Sequence, residues 1–138
     1  MNELLSISPI DGRYFEKSKD LIDYFSEYAL IKYRVTIEIR WLLFLLEKNI
    51  VNDKINKEEK EKIQSILNKF SLEDAMIVKQ IEKVTKHDVK ACEYFLQVKF
   101  KELKIERLIP FIHITLTSED INNTSYNLMV NDGLKIYL

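Results

Sequence analysis

The chain has 138 residues, room for one domain with a real hydrophobic core, and its 21 basic side chains nearly cancel its 22 acidic ones. With 46% hydrophobic residues, that balance excludes both a disordered acidic tail and a strongly basic nucleic-acid arm. Two glycines and two prolines leave few places for tight turns, which suits long helices better than many short strands. Cys92 is the single cysteine, so an intramolecular disulfide is excluded and a cysteine-based metal site lacks its companions. No metal or cofactor is expected. The start lacks the basic and apolar blocks of a secretory signal, and no apolar run reaches the roughly 18 residues needed to cross a bilayer. The expected setting is the reducing cytoplasm, with neither a membrane nor a nucleic acid as partner.

The opening Ser6-Ile7-Ser8-Pro9-Ile10-Asp11-Gly12 reads as loop: proline fixes φ, aspartate favours turns and Gly12 is free to take positive φ. Tyr24, Tyr28, Ile31, Val35, Ile39, Leu42 and Leu46 then recur at spacings of three and four, an apolar stripe on a helix that stops near Lys48-Asn49. In the charged stretch from Asp53 to Lys62, Glu58 and Lys62 stand at i, i+4, and Ile63, Ile66, Leu67 and Phe70 supply the buried face of a short helix. Ser71-Leu72-Glu73-Asp74 has the spacing of a capping box, opening a helix with Ile77, Val78 and Ile81. Another helix follows Thr85-Lys86-His87-Asp88, with Ala91, Tyr94, Phe95 and Val98 on one side. Pro110 interrupts the pattern, and Thr117-Ser118-Glu119-Asp120 opens a last helix that includes Ile121, Leu128 and Met129. Leu134, Ile136, Tyr137 and Leu138 make an apolar ending, the expectation being a longer helix interrupted there, although Gly133 is equally compatible with a helix end.

Three segments carry candidate chemistry. In Ser8-Pro9-Ile10-Asp11-Gly12-Arg13-Tyr14, an arginine after a stiff turn offers a planar fork of donors for phosphate or carboxylate, and the alternative is a surface turn. His87-Asp88, beside Lys86, offers an anion a histidine and a helix start, or else Asp88 caps the helix and His87 merely flanks it. Thr117-Ser118-Glu119-Asp120-Ile121-Asn122-Asn123 is a capping box that also groups hydroxyls with unspent backbone N–H groups, provided Glu119 and Asp120 face away from a bound anion. His113, in Phe111-Ile112-His113-Ile114, is expected to be packed and supporting. The Tyr and Phe residues fall on helical faces with no basic patch beside them, so they read as core.

In this order and at these separations, the three segments resemble the signatures of the adenylosuccinate lyase family, in the fumarase and aspartase superfamily. Phe25-Ser26-Glu27-Tyr28 and Glu93-Tyr94-Phe95-Leu96 are similar too. The resemblance implies an all-α chain: residues 1–117 as an N-terminal helical domain and 118–138 as the start of a central helical bundle. It further implies a homotetramer with active sites shared between subunits, and elimination of fumarate from a purine nucleotide substrate. Arg13 and Tyr14 would then hold the nucleotide, Lys86, His87 and Asp88 would line its pocket, and Thr117 with Ser118 would grip the succinyl part. Lys86 departs from the asparagine common in the most similar branch. No catalytic residue is expected within these 138 residues, because the family's base and acid lie in a Thr-His-Gly-Gln-like segment and a mobile serine loop that are absent from the sequence. The rival readings are another lyase of the superfamily and a helical interaction module without catalysis.

Overall fold

The computed structural model describes residues 3–136, and among them every regular element is helical. A 3-10 turn (Glu3–Leu5) and the opening loop lead into two single-turn helices, α1 (Phe15–Ser18) and α2 (Ile22–Phe25), separated by a second 3-10 turn (Lys19–Leu21). The long α3 (Glu27–Glu47), then α4 (Lys57–Asn68), α5 (Leu72–Thr85), α6 (Asp88–Glu102), a 3-10 turn (Glu106–Phe111) and α7 (Ser118–Leu134) complete the chain. The expected all-α class holds.

Helix starts follow the polar residues that precede them. Asn56 caps α4, Ser71 caps α5 and Thr117 caps α7, and each in return donates its own N–H to the acid three residues on. These side chains satisfy N–H groups that a helix start otherwise leaves without partners. The expected Glu58–Lys62 pair forms at 2.7 Å on the outer face of α4.

Helix α3 is the axis of the molecule. Ile31, Val35, Ile39, Leu42 and Leu46 are buried along one side of it, against Ile63, Ile66 and Phe70 and against Ala91, Cys92, Phe95 and Leu96 of α6. The aromatic core residues meet edge to face, with the Phe70 and Phe95 rings 5.8 Å apart at 81°. Burial raises the Cys92 thiol to about 12, which leaves it a small inert core residue.

Four expectations need correction. Tyr24 does not continue the α3 stripe: Ser26 breaks the helix in an extended conformation, and its Oγ accepts the Ala29 N–H at 3.1 Å. Tyr94 and Val98 are exposed, because α6 packs through Ala91, Cys92, Phe95 and Leu96 and those two lie outside that arc. Gly12 is buried, and neither glycine takes positive φ. Gly133 stands in the last turn of α7, which ends at Leu134, but without left-handed φ, and a Cβ there would come within 2.5 Å of the Phe25 ring. Close approach accounts for that glycine. Tyr137 and Leu138, part of the expected apolar ending, lie outside the described residues.

Phe95 is fully buried between α3, α5 and Phe70. Replacing it with alanine is expected to cost about 3–5 kcal/mol, read as a lowered urea midpoint at unchanged slope.

Candidate functional site

Two helix starts meet on one side of α3. His87 is the N-cap of α6, its Nδ1 accepting the Lys90 N–H at 3.2 Å, and Ser118 is the first residue of α7. The His87 Nε2 and the Ser118 Oγ stand 3.4 Å apart. A backbone N–H can only donate, so Nδ1 must keep its lone pair and the neutral ring carries its proton on Nε2. His87 therefore points an N–H donor at the Ser118 hydroxyl.

Behind this pair lies a buried guanidinium. Arg34, on α3, is 6% exposed, donating from Nη2 to Asp88 Oδ2 at 2.6 Å and from Nε to Asn122 Oδ1 at 2.9 Å. Asp88 belongs to α6 and Asn122 to α7, so one side chain spans both site-bearing helices. Asp88 is the first residue of α6, and its second oxygen accepts the Val89 N–H at 2.8 Å. The alternative in which Asp88 capped the helix is overturned: His87 caps it. Burial pushes the Asp88 carboxyl upward, but the Val89 N–H and the Arg34 charge outweigh that and hold it below its ordinary value.

One turn further along α3, Glu38 is buried with Oε1 2.6 Å from His113 Nδ1, while its Oε2 has no hydrogen-bond partner. Burial, assisted by the charge of Glu93, keeps its carboxyl above the usual range despite the opposing contacts with His113. The Glu93 Oε1 stands 3.9 Å from the other ring nitrogen, and Glu93 itself pairs with Lys90 at 2.7 Å. His113 is thus packed and supporting, as its apolar neighbours imply.

The segment carrying His113 is strained. His113 and Thr115 both adopt left-handed backbone, at φ 61° and 64°, and a β-branched residue is seldom found there. Trp41, also on α3, donates from Nε1 to the Ile114 carbonyl at 2.9 Å and holds the turn that delivers Thr117 and Ser118.

The Thr117 N–H and hydroxyl both bond Asp120 Oδ2 at 2.7 Å, so Thr117 spends its polar groups on the cap and Ser118 is the residue turned to His87. Lys86 is the exposed C-cap of α5 at φ 55°, a left-handed position that asparagine adopts at less cost than lysine. Arg13 stacks its guanidinium 4.8 Å over the Tyr14 ring in the opening loop, and among the described residues no hydrogen bond or ion pair joins either one to His87 or Ser118. That loop is tied to itself: Asp11 Oδ1 accepts the Ser8 N–H at 2.9 Å, and the Pro9 carbonyl accepts the Tyr14 N–H at 2.9 Å. Among the described residues no group of His, Cys, Asp and Glu is arranged to hold a metal ion.

No motif in the sequence singled out Arg34, Glu38 or Trp41, and within the third segment Asn122 carried no role of its own. The usable signal was a charged pair four residues apart beside the apolar stripe of α3.

The described residues form an all-α scaffold of the fumarase and aspartase type, on which two helix starts converge. A lyase family model matches residues 12–138, and the chain belongs to that family. Among curated proteins, it is 45% identical over 137 residues to the adenylosuccinate lyase of Buchnera aphidicola from Schizaphis graminum, and 44% identical over 140 residues to that of Dictyostelium discoideum. The Escherichia coli K12 adenylosuccinate lyase is 42% identical over 133 residues. These alignments cover 96%, 98% and 94% of the chain, which spans about 30% of the length of the relatives it matches.

Two outcomes test this geometry. Thr115→Gly relieves a left-handed β-branched residue and is expected to raise the stability of the fold by about 1 kcal/mol in urea denaturation. The Asp88 carboxyl is depressed in the fold, so its contribution is present above the ordinary aspartate value of 3.8 and is lost as pH falls through the lower folded value. The stability gap between the parent and Asp88→Asn should accordingly be constant near neutrality and shrink as acidification proceeds below the ordinary aspartate value.

Proposed function

We propose that this chain is the N-terminal part of an adenylosuccinate lyase. The reaction eliminates fumarate from adenylosuccinate to leave AMP, and from the succinylated carboxamide ribotide of purine synthesis to leave the free carboxamide. Identities of 42–45% to enzymes of that name support the reading. The observation that carries it is the 3.4 Å approach of His87 Nε2 to Ser118 Oγ across two helix starts.

The chemistry needs such a place. Taking a proton from the carbon beside a carboxylate builds negative charge on that carboxylate, and fixed donors lower the barrier most when they are aimed there beforehand. The Ser118 hydroxyl, the neutral Nε2–H of His87 and the positive ends of α6 and α7 are donors of that kind. Thr117 holds the start of α7 in shape through Asp120, Asp88 fixes the first turn of α6 beneath His87, and Lys86 adds positive charge at the rim. Arg13 and Tyr14 serve the nucleotide in a site completed by another subunit of a homotetramer, which accommodates their separation from His87.

None of these residues is assigned the acid or base role, which belongs to segments of the family that this sequence does not contain. In this reading residues 118–138 open the central bundle. Tyr126, Val130 and Leu134 support it as an exposed apolar stripe at i, i+4 and i+8 of α7, offered to neighbouring helices. Ile121 and Met129 of the same helix are buried within the chain. No helix among the described residues is long and apolar enough to cross a membrane, and we assign the enzyme to the cytoplasm on the housekeeping nature of the reaction.

The test joins residues 1–138 to the remainder of the Buchnera enzyme at the aligned position and follows fumarate release from adenylosuccinate. Turnover is expected, with kcat/KM falling about 10- to 150-fold for His87→Ala and for Ser118→Ala, the range of one lost charge-assisted contact. A folded, tetrameric chimera that releases no fumarate, or alanine variants as active as their parent, would falsify the proposal.

A further inference from the structure

The guanidinium of Arg34 occupies an unusual place. It is nearly inaccessible, it comes from a helix that carries none of the proposed ligand contacts, and its two hydrogen bonds end on the two helices that do. We infer that Arg34 is a positioning residue: by holding Asp88 and Asn122 it sets the approach of His87 to Ser118 and keeps the proton of His87 on Nε2. The inference rests on reading those two residues as ligand contacts, but its geometry and its test do not require turnover.

Unheld, Asp88 would compete for the His87 ring. Its Oδ1 lies 3.7 Å from His87 Nδ1. A free aspartate beside an imidazole favours a proton on the facing nitrogen, because an N–H donor gains a charge-assisted bond that a lone pair cannot make. That proton would end the Lys90 N–H contact, undo the N-cap of α6 and turn the ring away from Ser118. Arg34 prevents this by drawing Oδ2 to 2.6 Å while the Val89 N–H takes Oδ1.

Arg34 also acts on α7. Asn122 lies one turn beyond Ser118, so the 2.9 Å bond from Arg34 Nε fixes how far the start of α7 stands from that of α6. A lysine amine reaches one of these partners, whereas the planar guanidinium reaches both in a fixed relation. The groups facing the His87 ring are Asp88 and the Lys90 N–H from α6 and Ser118 from α7, while Thr85, the last residue of α5, bonds only the His87 backbone. Arg34 reaches the ring only through Asp88.

The experiment labels the full 138-residue chain with nitrogen-15 in histidine and reads ring signals by NMR at neutral pH. Two histidines give a simple spectrum, and His113, held by Glu38 on the same helix, is an internal reference. In the parent, His87 is expected to show a protonated Nε2 and an unprotonated Nδ1, with a cross-peak to Ser118. Arg34→Gln is expected to protonate Nδ1 and remove the cross-peak while His113 stays unchanged. Arg34→Gln combined with Asp88→Asn removes the capturing carboxylate and is expected to restore the unprotonated Nδ1, which a merely structural arginine would not allow. A folded Arg34→Gln chain with the parental His87 pattern, or a double variant without that restoration, overturns the inference. Should Arg34→Gln fail to fold, Arg34→Lys is read in the same way. Loss of the cross-peak or partial protonation of Nδ1 then supports the inference, and an unchanged spectrum overturns it.

Discussion

A positive charge shut away from water must be answered on every side, and in this molecule the arrangement around Arg34 follows from that demand. Withdrawing a guanidinium from solvent costs several kcal/mol unless its donors meet acceptors of good geometry. Asp88 and Asn122 are those acceptors, and each belongs to a different helix, so the requirement is met only when α6 and α7 start at the same level beside α3. Hydrophobic contacts along α3 favour packing but do little to fix how far one helix slides along another. The buried polar contact selects one setting.

The same face of α3 continues that role. Arg34, Glu38 and Trp41 follow one another at i, i+4 and i+7 and reach Asp88, His113 and the Ile114 carbonyl. Between them they grip the first turn of α6 and the turn that precedes α7. His87 and Ser118 lie at helix starts on short connections, where backbone is most free to move, and both are referred to one long, well-packed helix. The left-handed residues at 113 and 115 persist because surrounding contacts over-determine their conformation.

Much of this fold could be read from residue order. The capping boxes at Ser71 and Thr117 marked two helix starts, and the spacing from Ile31 to Leu46 marked the buried side of α3. The reading failed where tertiary contacts decided. Nothing local shows that the stripe is broken at Ser26, since Tyr24 fits the period whether or not the helix is continuous. Tyr94 and Val98 have the composition of core but fall on the wrong arc of α6. Within the candidate site, His87 and Ser118 were found from their positions at helix starts, yet their mutual approach is long-range and has no local signature. Arg34 and Glu38 were passed over because charged residues on a helix usually mark its wet side, and only packing from three directions makes them interior.

The bond from Trp41 to residue 114 separates two kinds of evolutionary freedom. Its acceptor is a main-chain carbonyl, which every amino acid possesses, so position 114 can drift without losing the contact. Its donor is an indole N–H, which neither phenylalanine nor leucine can replace at position 41. Along a lineage, therefore, the turn would tolerate changes at its centre while α3 retained tryptophan, and the durable record of the turn's shape would lie more than seventy residues away from it.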